Sequence, residues 1–324
     1  METVLVTGGA GFIGSNIAEA LLLKGCKVVI FDDLSSGRME NIVALLDNGN
    51  ARFVQGSILD VELLRETISS NRVSLISHQA ARPSVAKSVT DPVKTAEVNI
   101  TGTVKLFHIA SECGCRRVVF ASSSSVYGDT PELPKIESMR FMPKSPYAVS
   151  KIAKELFADV FSKLYGLEIT GLRYFNVYGR KQDPSSDYAA VIPRFITSAL
   201  DNEPLAVEGD GLQTRDFSYI DDVVRANVSA FIKEDISGMV FNIACGSRIS
   251  IRELAELIVE ITGSGSAIAH VPPRPGDIKD SLADIESARK YLDYEPGYDI
   301  MAGLRETVRW YRGAQQPGLK ASLA

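Results

Sequence analysis

Short apolar runs recur along the first half of the chain, with stretches of helical periodicity between them. The runs are Val4-Leu5-Val6, Lys27-Val28-Val29-Ile30-Phe31, Arg52-Phe53-Val54, Ser74-Leu75-Ile76, Arg117-Val118-Val119-Phe120 and Ile169-Thr170-Gly171-Leu172. Near-continuous apolar strands separated by helices predict a parallel sheet covered on both faces. The expected fold class is α/β, a doubly wound parallel sheet of Rossmann type, with ligands outside the carboxyl ends of its strands. Helices are expected at 17–23, 41–46, 60–69, 91–111 and 145–164, with Asp60 and Asp91 as N-caps and Pro92 at a first helical position.

The helices at 91–111 and 145–164 carry more apolar residues than one face needs, including Val104, Leu106, Phe107, Leu156, Phe157, Val160 and Phe161. That excess predicts a second buried side, the seam of a homodimer. After Asn176 the pattern loosens, and Pro, Gly and Asp become frequent, as suits loops over a binding site. A strand-like run at 238–243 and helices at 250–261 and 299–312 stand out there. The expected division is a nucleotide-binding domain of residues 1–174, to which 217–245 return, and a smaller mixed α/β substrate domain built from 175–216 and 246–324.

Composition narrows the field without naming a chemistry. The chain has 324 residues, 45% of them hydrophobic and 23% charged, as in soluble globular proteins of one large and one smaller domain. A net charge of −5 gives no electrostatic footprint for nucleic acid or an anionic membrane, so an anionic substrate has to be held by a few placed arginines. The apolar stretches fall short of a membrane span, and the N-terminus enters a strand at once, so a cytoplasmic protein is expected. Cys26, Cys113, Cys115 and Cys245 lack paired Cys-x-x-Cys spacing and read as reduced thiols. With three histidines and no His/Cys cluster, no metal is expected.

Two distant segments carry the candidate chemistry. Thr7-Gly8-Gly9-Ala10-Gly11-Phe12-Ile13-Gly14 follows the first apolar run and opens a helix. Glycines on such a strand-to-helix turn let the backbone approach a dinucleotide pyrophosphate, and the helix N-terminus presents free N–H groups to it. Asp32 ends the second strand, about twenty residues beyond the glycines, where a carboxylate accepts from a ribose 2′-hydroxyl and repels a 2′-phosphate. Arg38 is near enough to greet a phosphate, but the acid at the strand end favours NAD over NADP. His78-Gln79-Ala80-Ala81 closes the fourth strand with small residues, and Asn99 reads either as a helix-packing asparagine or as a group near the cofactor.

The second segment is Tyr147-Ala148-Val149-Ser150-Lys151. On a helix that spacing puts a phenol and an ammonium on one face, where the cation favours the phenolate and makes it usable as a base near neutral pH. Between the two segments, Ala121-Ser122-Ser123-Ser124-Ser125-Val126-Tyr127-Gly128 follows the fifth strand and reaches the same edge of the sheet. It offers hydroxyls and no acid.

These residues resemble the extended short-chain dehydrogenase/reductase family, and within it the nucleotide-sugar C4-epimerases. The likeness covers essentially the whole chain: the glycine turn through Ser15, Ser122-Ser123-Ser124 with Val126-Tyr127-Gly128, Tyr147 with Lys151, Arg173-Tyr174-Phe175-Asn176-Val177-Tyr178-Gly179, Gly211 with Arg215-Asp216-Phe217, Asp221-Asp222, and Arg274-Pro275-Gly276-Asp277. The resemblance implies Tyr147 as base, Lys151 on the nicotinamide ribose and Ser123 as partner hydroxyl. For NAD it implies Gly8, Gly11, Phe12, Ile13, Gly14, Asp32, Ser57, Ile58, Gln79, Ala80, Asn99, Ser122 and Tyr174, besides Tyr147 and Lys151. For a UDP-sugar it implies Ser84, Ser123, Ser124, Tyr147, Asn176, Val191, Val207, Arg215, Arg274, Asp277 and Ser281, with 205–207 at the nucleobase.

The chain departs from its relatives' pattern in two places. Gly56-Ser57-Ile58 stands where a glycine-aspartate pair often contacts adenine, and Glu208 stands where an aromatic side chain is usual. Related dehydratases and decarboxylases carry an Asp or Glu in the serine loop, which Ser123, Ser124 and Ser125 here replace. The expected reaction is reversible oxidation at C4, with hydride passed to NAD and returned to the other face of a 4-keto sugar. A 4,6-dehydratase or decarboxylase, or a non-catalytic NAD-binding sensor, remains the alternative. Ser281, four residues beyond Asp277, borders the sugar 2-substituent in similar enzymes, and its small side chain leaves room for an acetamido group. UDP-GlcNAc/UDP-GalNAc are the expected substrates, beside UDP-Glc/UDP-Gal.

Overall fold

The structure, a computed structural model, describes residues 2–184, 190–273 and 278–315. Its first half runs β1 (Thr3–Thr7), α1 (Phe12–Leu23), β2 (Lys27–Asp32), β3 (Ala51–Gln55), α2 (Val61–Ser70), β4 (Leu75–His78), α3 (Val85–Thr90), α4 (Pro92–Ala96), α5 (Gly102–Glu112), β5 (Arg117–Ser123), α6 (Pro146–Leu164) and β6 (Glu168–Tyr174). The second half continues with β7 (Val177–Tyr178), α7 (Val191–Leu200), β8 (Leu205–Glu208), β9 (Thr214–Arg215), β10 (Ser218–Tyr219), α8 (Ile220–Ile232), β11 (Val240–Ile243), β12 (Ile249–Ser250), α9 (Ile251–Thr262), β13 (Ile268–Val271), α10 (Glu286–Leu292) and α11 (Ile300–Gln315).

Seven strands form one sheet in the order β3-β2-β1-β4-β5-β6-β11, every pair parallel. Alternate residues of each strand feed two separate cores. Val4, Val6, Val28, Ile30, Val119 and Leu172 pack with Ile17 and Leu21 of α1 and Val223 of α8 on one face. Leu5, Val29, Phe31, Ile76, Val118, Phe120 and Ile169 pack with Leu64 of α2, Leu106 and Phe107 of α5 and Phe161 of α6 on the other. Both faces are covered, which is why the strands read as unbroken apolar runs. Strand order reverses between β1 and β4, and a crevice opens at that point outside the carboxyl ends.

The second half holds three two-stranded pairings, β8 with β13 and β7 with β10 in parallel and β9 with β12 antiparallel. Ser250 opens α9 with a capping box to Glu253, and Gly263 ends it in the left-handed conformation.

Several local expectations are corrected. The helix expected at 41–46 is two 3₁₀ turns, Met39–Asn41 and Val43–Leu45. The long helix at 91–111 is α4 and α5 joined by one turn of π-helix, Glu97–Thr101, that carries Asn99 into the interior. Helices α3, α7, α8 and α10 lay unseen in the pattern. Helix α8 buries nine of its thirteen residues, Asp222 and Asn227 among them, so it shows no clean apolar stripe. Of the apolar excess on the long helices, Leu106, Phe107 and Phe161 belong to the core, whereas Leu156, Phe157 and Val160 are exposed on α6 beside Val149 and Leu164.

Candidate active site

The glycine turn lies at the crevice, and the glycines are there for steric reasons. Gly8 has φ of +66°, and a Cβ on it would lie 2.7 Å from the Ala80 nitrogen, so the segment just after β4 packs directly on the turn. A Cβ on Gly14 would fall 2.2 Å from the Gly8 carbonyl oxygen, which makes glycine the residue that lets α1 start this close to β1. Gly11 is the N-cap of α1 and no side chain caps the helix. The N–H groups at Phe12 and Ile13 thus open the helix towards the crevice, the arrangement that receives a pyrophosphate.

Asp32 is nearly buried at the end of β2, where Oδ2 accepts from Ala10 N at 3.0 Å and Oδ1 from Leu34 N at 2.8 Å. Burial pushes its carboxyl above the usual range, against the backbone N–H donors that pull it down. A Cβ on Gly37 would lie 2.6 Å from Oδ1, so the chain passes tightly over the carboxylate. Arg38, the candidate phosphate partner, pairs with Asp183 at 2.7 Å. A glycine cradle, an uncapped helix start and a carboxylate at the second strand's end fit NAD.

Across the crevice, Gln79 is held by Ser77 Oγ at 3.0 Å and by Asn227 Oδ1 at 3.2 Å, and Tyr174 OH donates to either Gln79 Oε1 at 3.2 Å or Asn227 Oδ1 at 3.1 Å. Asn227 of α8 was not foreseen; a buried amide on a helix is a signal, but its partners lie far away in sequence. Ser57 Oγ accepts from Leu59 N at 3.3 Å, and Ile58 packs against Gly102 at the start of α5.

The serine loop and α6 meet at the carboxyl edge. Ser145 caps α6 through Ala148 N at 3.1 Å, with Pro146 in its first turn. Tyr147 sits half-buried in that turn, and its backbone N–H donates to Ser88 Oγ at 3.1 Å. One turn on, Lys151 is buried; its Nζ donates to the Ala121 carbonyl at 2.9 Å and lies 5.4 Å from the centre of the Tyr147 ring. Ala121 ends in Ser122 and Ser123, so this bond fixes the tyrosine face of α6 beside the serine loop. Ser123 Oγ accepts from Ser125 N at 3.2 Å as the cap of the 3₁₀ turn Ser124–Tyr127.

A chain of buried hydrogen bonds runs behind the tyrosine. Thr103 Oγ1 donates to the Asn99 carbonyl at 2.7 Å, so it accepts from His78 Nε2 at 2.9 Å, and His78 Nδ1 accepts from Thr7 Oγ1 at 2.8 Å. Burial, above all, holds His78 well below its ordinary value, so it is neutral. Asn99 Nδ2 donates to Ser150 Oγ at 3.0 Å, and Ser150 Oγ donates to the Tyr147 carbonyl at 2.7 Å. Asn99 is fully buried and its Oδ1 accepts from Arg82 N at 2.7 Å. The side chain thus braces the 82–84 loop and α6 from behind.

Beneath the serine loop lies an ion pair that the sequence did not reveal. Arg173 Nε donates to Glu155 Oε1 at 2.9 Å and a terminal nitrogen to Oε2 at 2.7 Å, both side chains 4% exposed. Ser122 Oγ donates to the same carboxylate, so its side chain, like that of Asn99, is spent within the protein. Arg173 also donates to Tyr127 OH at 2.7 Å, which donates to Asn242 Oδ1 at 2.6 Å. Glu137, the other nearby carboxylate, accepts from Asn242 N at 2.8 Å.

In the second half a cavity of about 250 Å³ is bounded by Asn176, Val191, Arg194, Ala206, Glu208 and Arg215, among others. Asn176 has φ of +33° and its Nδ2 donates to the Asp216 carbonyl at 2.7 Å. Arg215 donates to the carbonyls of Thr214 at 2.8 Å and Lys279 at 3.2 Å. The alternation of β8 turns the Val207 side chain into the core and turns Ala206 and Glu208 to the cavity. Arg194 stands 3.7 Å from Glu208 across the cavity.

Ser281 N donates to the Thr214 carbonyl at 3.1 Å, tying its segment to β9, while Ser84 caps α3 through Lys87 N at 3.1 Å. Arg274 and Asp277 lie outside the described residues.

A model of the NAD dependent epimerase/dehydratase family matches residues 4–244. The chain belongs to that family. It is an NAD-dependent enzyme, and the turn between β1 and α1 lies within the matched region. It is 39% identical to the UDP-glucose 4-epimerase of Mycolicibacterium smegmatis, over 96% of this chain and 99% of that one. Among solved structures it is similar to the UDP-glucose 4-epimerase of Thermotoga maritima with UDP-glucose, at 38% identity and a TM-score of 0.92 over 97% and 100% of the two chains. It is equally similar to the UDP-N-acetylglucosamine 4-epimerase of Methanobrevibacter ruminantium in complex with UDP-N-acetylmuramic acid, at 39% identity and a TM-score of 0.92 over 97% and 99%.

Proposed function

We propose that this enzyme inverts C4 of a UDP-hexose, acting on UDP-GlcNAc/UDP-GalNAc and on UDP-Glc/UDP-Gal. The observation that carries the reading is Lys151 Nζ, anchored on the Ala121 carbonyl and stationed by the Tyr147 ring at the edge where the glycine turn also lies. Tyr147 removes the proton of the sugar 4-hydroxyl and returns it in the second half of the cycle. Ser123, beside it, hydrogen-bonds the same oxygen. Lys151 sets its ammonium beside the phenol and orients the nicotinamide ribose. When bound, NAD supplies the acceptor for the C4 hydride and gives that hydride back.

Gly8, Gly11, Phe12, Ile13 and Gly14 take the pyrophosphate and Asp32 the adenosine ribose, with Gln79, Ala80 and Tyr174 lining the crevice. Asn176 and Arg215 hold the substrate diphosphate, with Arg274 beside them in the resemblance; arginine suits the task because its planar fork matches phosphate oxygens. The cavity beside β8 receives the nucleobase, and Ser281 leaves space for an acetamido group. The exposed apolar row Val149, Leu156, Phe157, Val160 and Leu164 supports a homodimer through α6. The four cysteines are free, which suits a cytoplasmic protein.

A dehydratase or decarboxylase reading needs an acid near the serine loop. Residues 121–128 hold none, and Glu155 is committed to Arg173. The test is incubation of the pure enzyme with UDP-GlcNAc and with UDP-Glc, followed by chromatography. An isomer of unchanged mass supports the reading; a 4-keto product that absorbs in alkali sinks it.

A further inference from the structure

Asp216 stands between Arg215 and Phe217, is fully buried, and touches three separate parts of the chain. Its Oδ1 accepts from Cys245 N at 2.9 Å, and its Oδ2 accepts from Gly246 N at 3.1 Å and Ala283 N at 3.2 Å. Its own carbonyl accepts from Asn176 Nδ2 at 2.7 Å. The side chain thus joins the turn after β11 to the segment that carries Ser281, and the main-chain carbonyl ties in Asn176 beyond β6.

Backbone hydrogen bonds also tie that segment to β9 and to Lys135. Thr214 N donates to the Lys279 carbonyl at 3.0 Å, Ser281 N to the Thr214 carbonyl at 3.1 Å, Lys135 N to the Leu282 carbonyl at 2.7 Å and Asp284 N to the Lys135 carbonyl at 2.9 Å. Asp216 lies at the centre of this lacing. Three N–H groups converging on two oxygens call for a carboxylate, since a protonated oxygen would turn an O–H towards a donor and lose a bond.

We propose that Asp216 is a positioning residue for the nucleotide sugar: its carboxylate clamps the Cys245–Gly246 turn and the Ser281 segment beside the cavity, and uptake of one proton releases the grip. The proposal rests on the reading that Asn176, Arg215 and the Ser281 segment surround the UDP-sugar. Burial pushes the carboxyl up to about 7, against the pull of its three N–H donors, so the release falls in the neutral range. The titratable groups facing it are the Cys245 thiol and the Tyr294 phenol, both raised by burial and uncharged there. Arg215 turns its guanidinium away, towards the carbonyls of Thr214 and Lys279.

The test is equilibrium binding of UDP-glucose to the wild-type holoenzyme, by calorimetry, at pH values on both sides of about 7. The substrate diphosphate, a diester, keeps its charge throughout. The Kd is expected to be level above that pH and to rise below it, by at most about tenfold per pH unit for a single proton. A Kd that stays flat in a folded protein overturns the proposal. Asp216→Asn should bind weakly and without pH dependence; a folded Asn variant that keeps the wild-type slope also overturns it, and if the variant fails to fold the wild-type profile decides alone. His270→Gln removes an exposed imidazole of the second half and should leave the slope in place; loss of the slope there assigns the proton to histidine and overturns the clamp. Turnover only equilibrates UDP-glucose with its C4 epimer, so the apparent Kd still reports the slope; UDP-glucose that binds with the expected slope but is never isomerised sinks the epimerase reading and leaves the clamp standing. No binding at any pH overturns both.

Discussion

Lys151 holds its ammonium 5.4 Å from the centre of the Tyr147 ring while spending one N–H on the Ala121 carbonyl at 2.9 Å. The strand thereby fixes the cation, and the cation stands beside the phenol on the same helix face. Lys151→Met should lower kcat by roughly 10² or more, within the range that general acid–base catalysis contributes, while the enzyme stays folded. A folded variant with wild-type kcat would show that the ammonium has no part in the reaction.

Gly14 faces the Gly8 carbonyl so closely that a methyl group would stand 2.2 Å from it. The clash is with backbone, which has nowhere to go without opening the turn. Gly14→Ala should therefore purify without nicotinamide cofactor while its α/β circular dichroism persists. Full NAD content in the variant would count against the turn as the pyrophosphate site.

The Arg173–Glu155 pair is bidentate and buried below the serine loop. Removing one partner strands a charge in the interior, so Glu155→Gln should destabilise the enzyme by about 3–5 kcal/mol in denaturant unfolding. Replacing both by apolar residues of like volume should recover most of that loss. Equal destabilisation by the single and double variants would contradict this explanation.

Lys154 is buried, and its Nζ has no hydrogen-bond partner among the described residues. Burial, then the charge of Lys151, holds its amine well below the ordinary 10.5. The native amine is uncharged where the unfolded one carries a proton, so stability rises with pH between the native value and 10.5, by at most about 1.4 kcal/mol per pH unit. Lys154→Met should be more stable than wild type at pH 7, by about 1–3 kcal/mol, and the advantage should shrink towards pH 9. A Met variant less stable at both pH values would contradict an unpartnered amine.

Ser281→Tyr fills the space expected to take an acetamido group. Turnover of UDP-GlcNAc should fall by roughly 10–200-fold, with UDP-Glc turnover much less affected. Equal losses for both sugars would refute the role given to Ser281.

Much of this was legible in local pattern. The glycine turn, Asp32, the serine cluster and Tyr147 with Lys151 each depend on neighbours within one strand–helix unit, and the central sheet followed from unbroken apolar runs. What stayed hidden depends on contacts across the fold. The bond of Tyr174 to Gln79 or Asn227, the Arg173–Glu155 pair and the three donors on Asp216 join residues far apart in the chain. For β8 the alternation was knowable, but which residues faced the cavity depended on its packing, and so Ala206 and Glu208 rather than Val207 present their side chains there. The π turn at Glu97–Thr101 likewise reflects the burial of Asn99 against Arg82 and Ser150 and not a helix-breaking residue.

The central claim, that one carbinol carbon is oxidised and reduced within a closed site, is tested most directly with UDP-glucose deuterated at C4 of the sugar. The wild-type enzyme should yield the C4 epimer with the label still wholly at C4, and Tyr147→Phe should retain NAD yet form no product. Label lost to water, label found at another carbon, or a fully active Phe variant would contradict it.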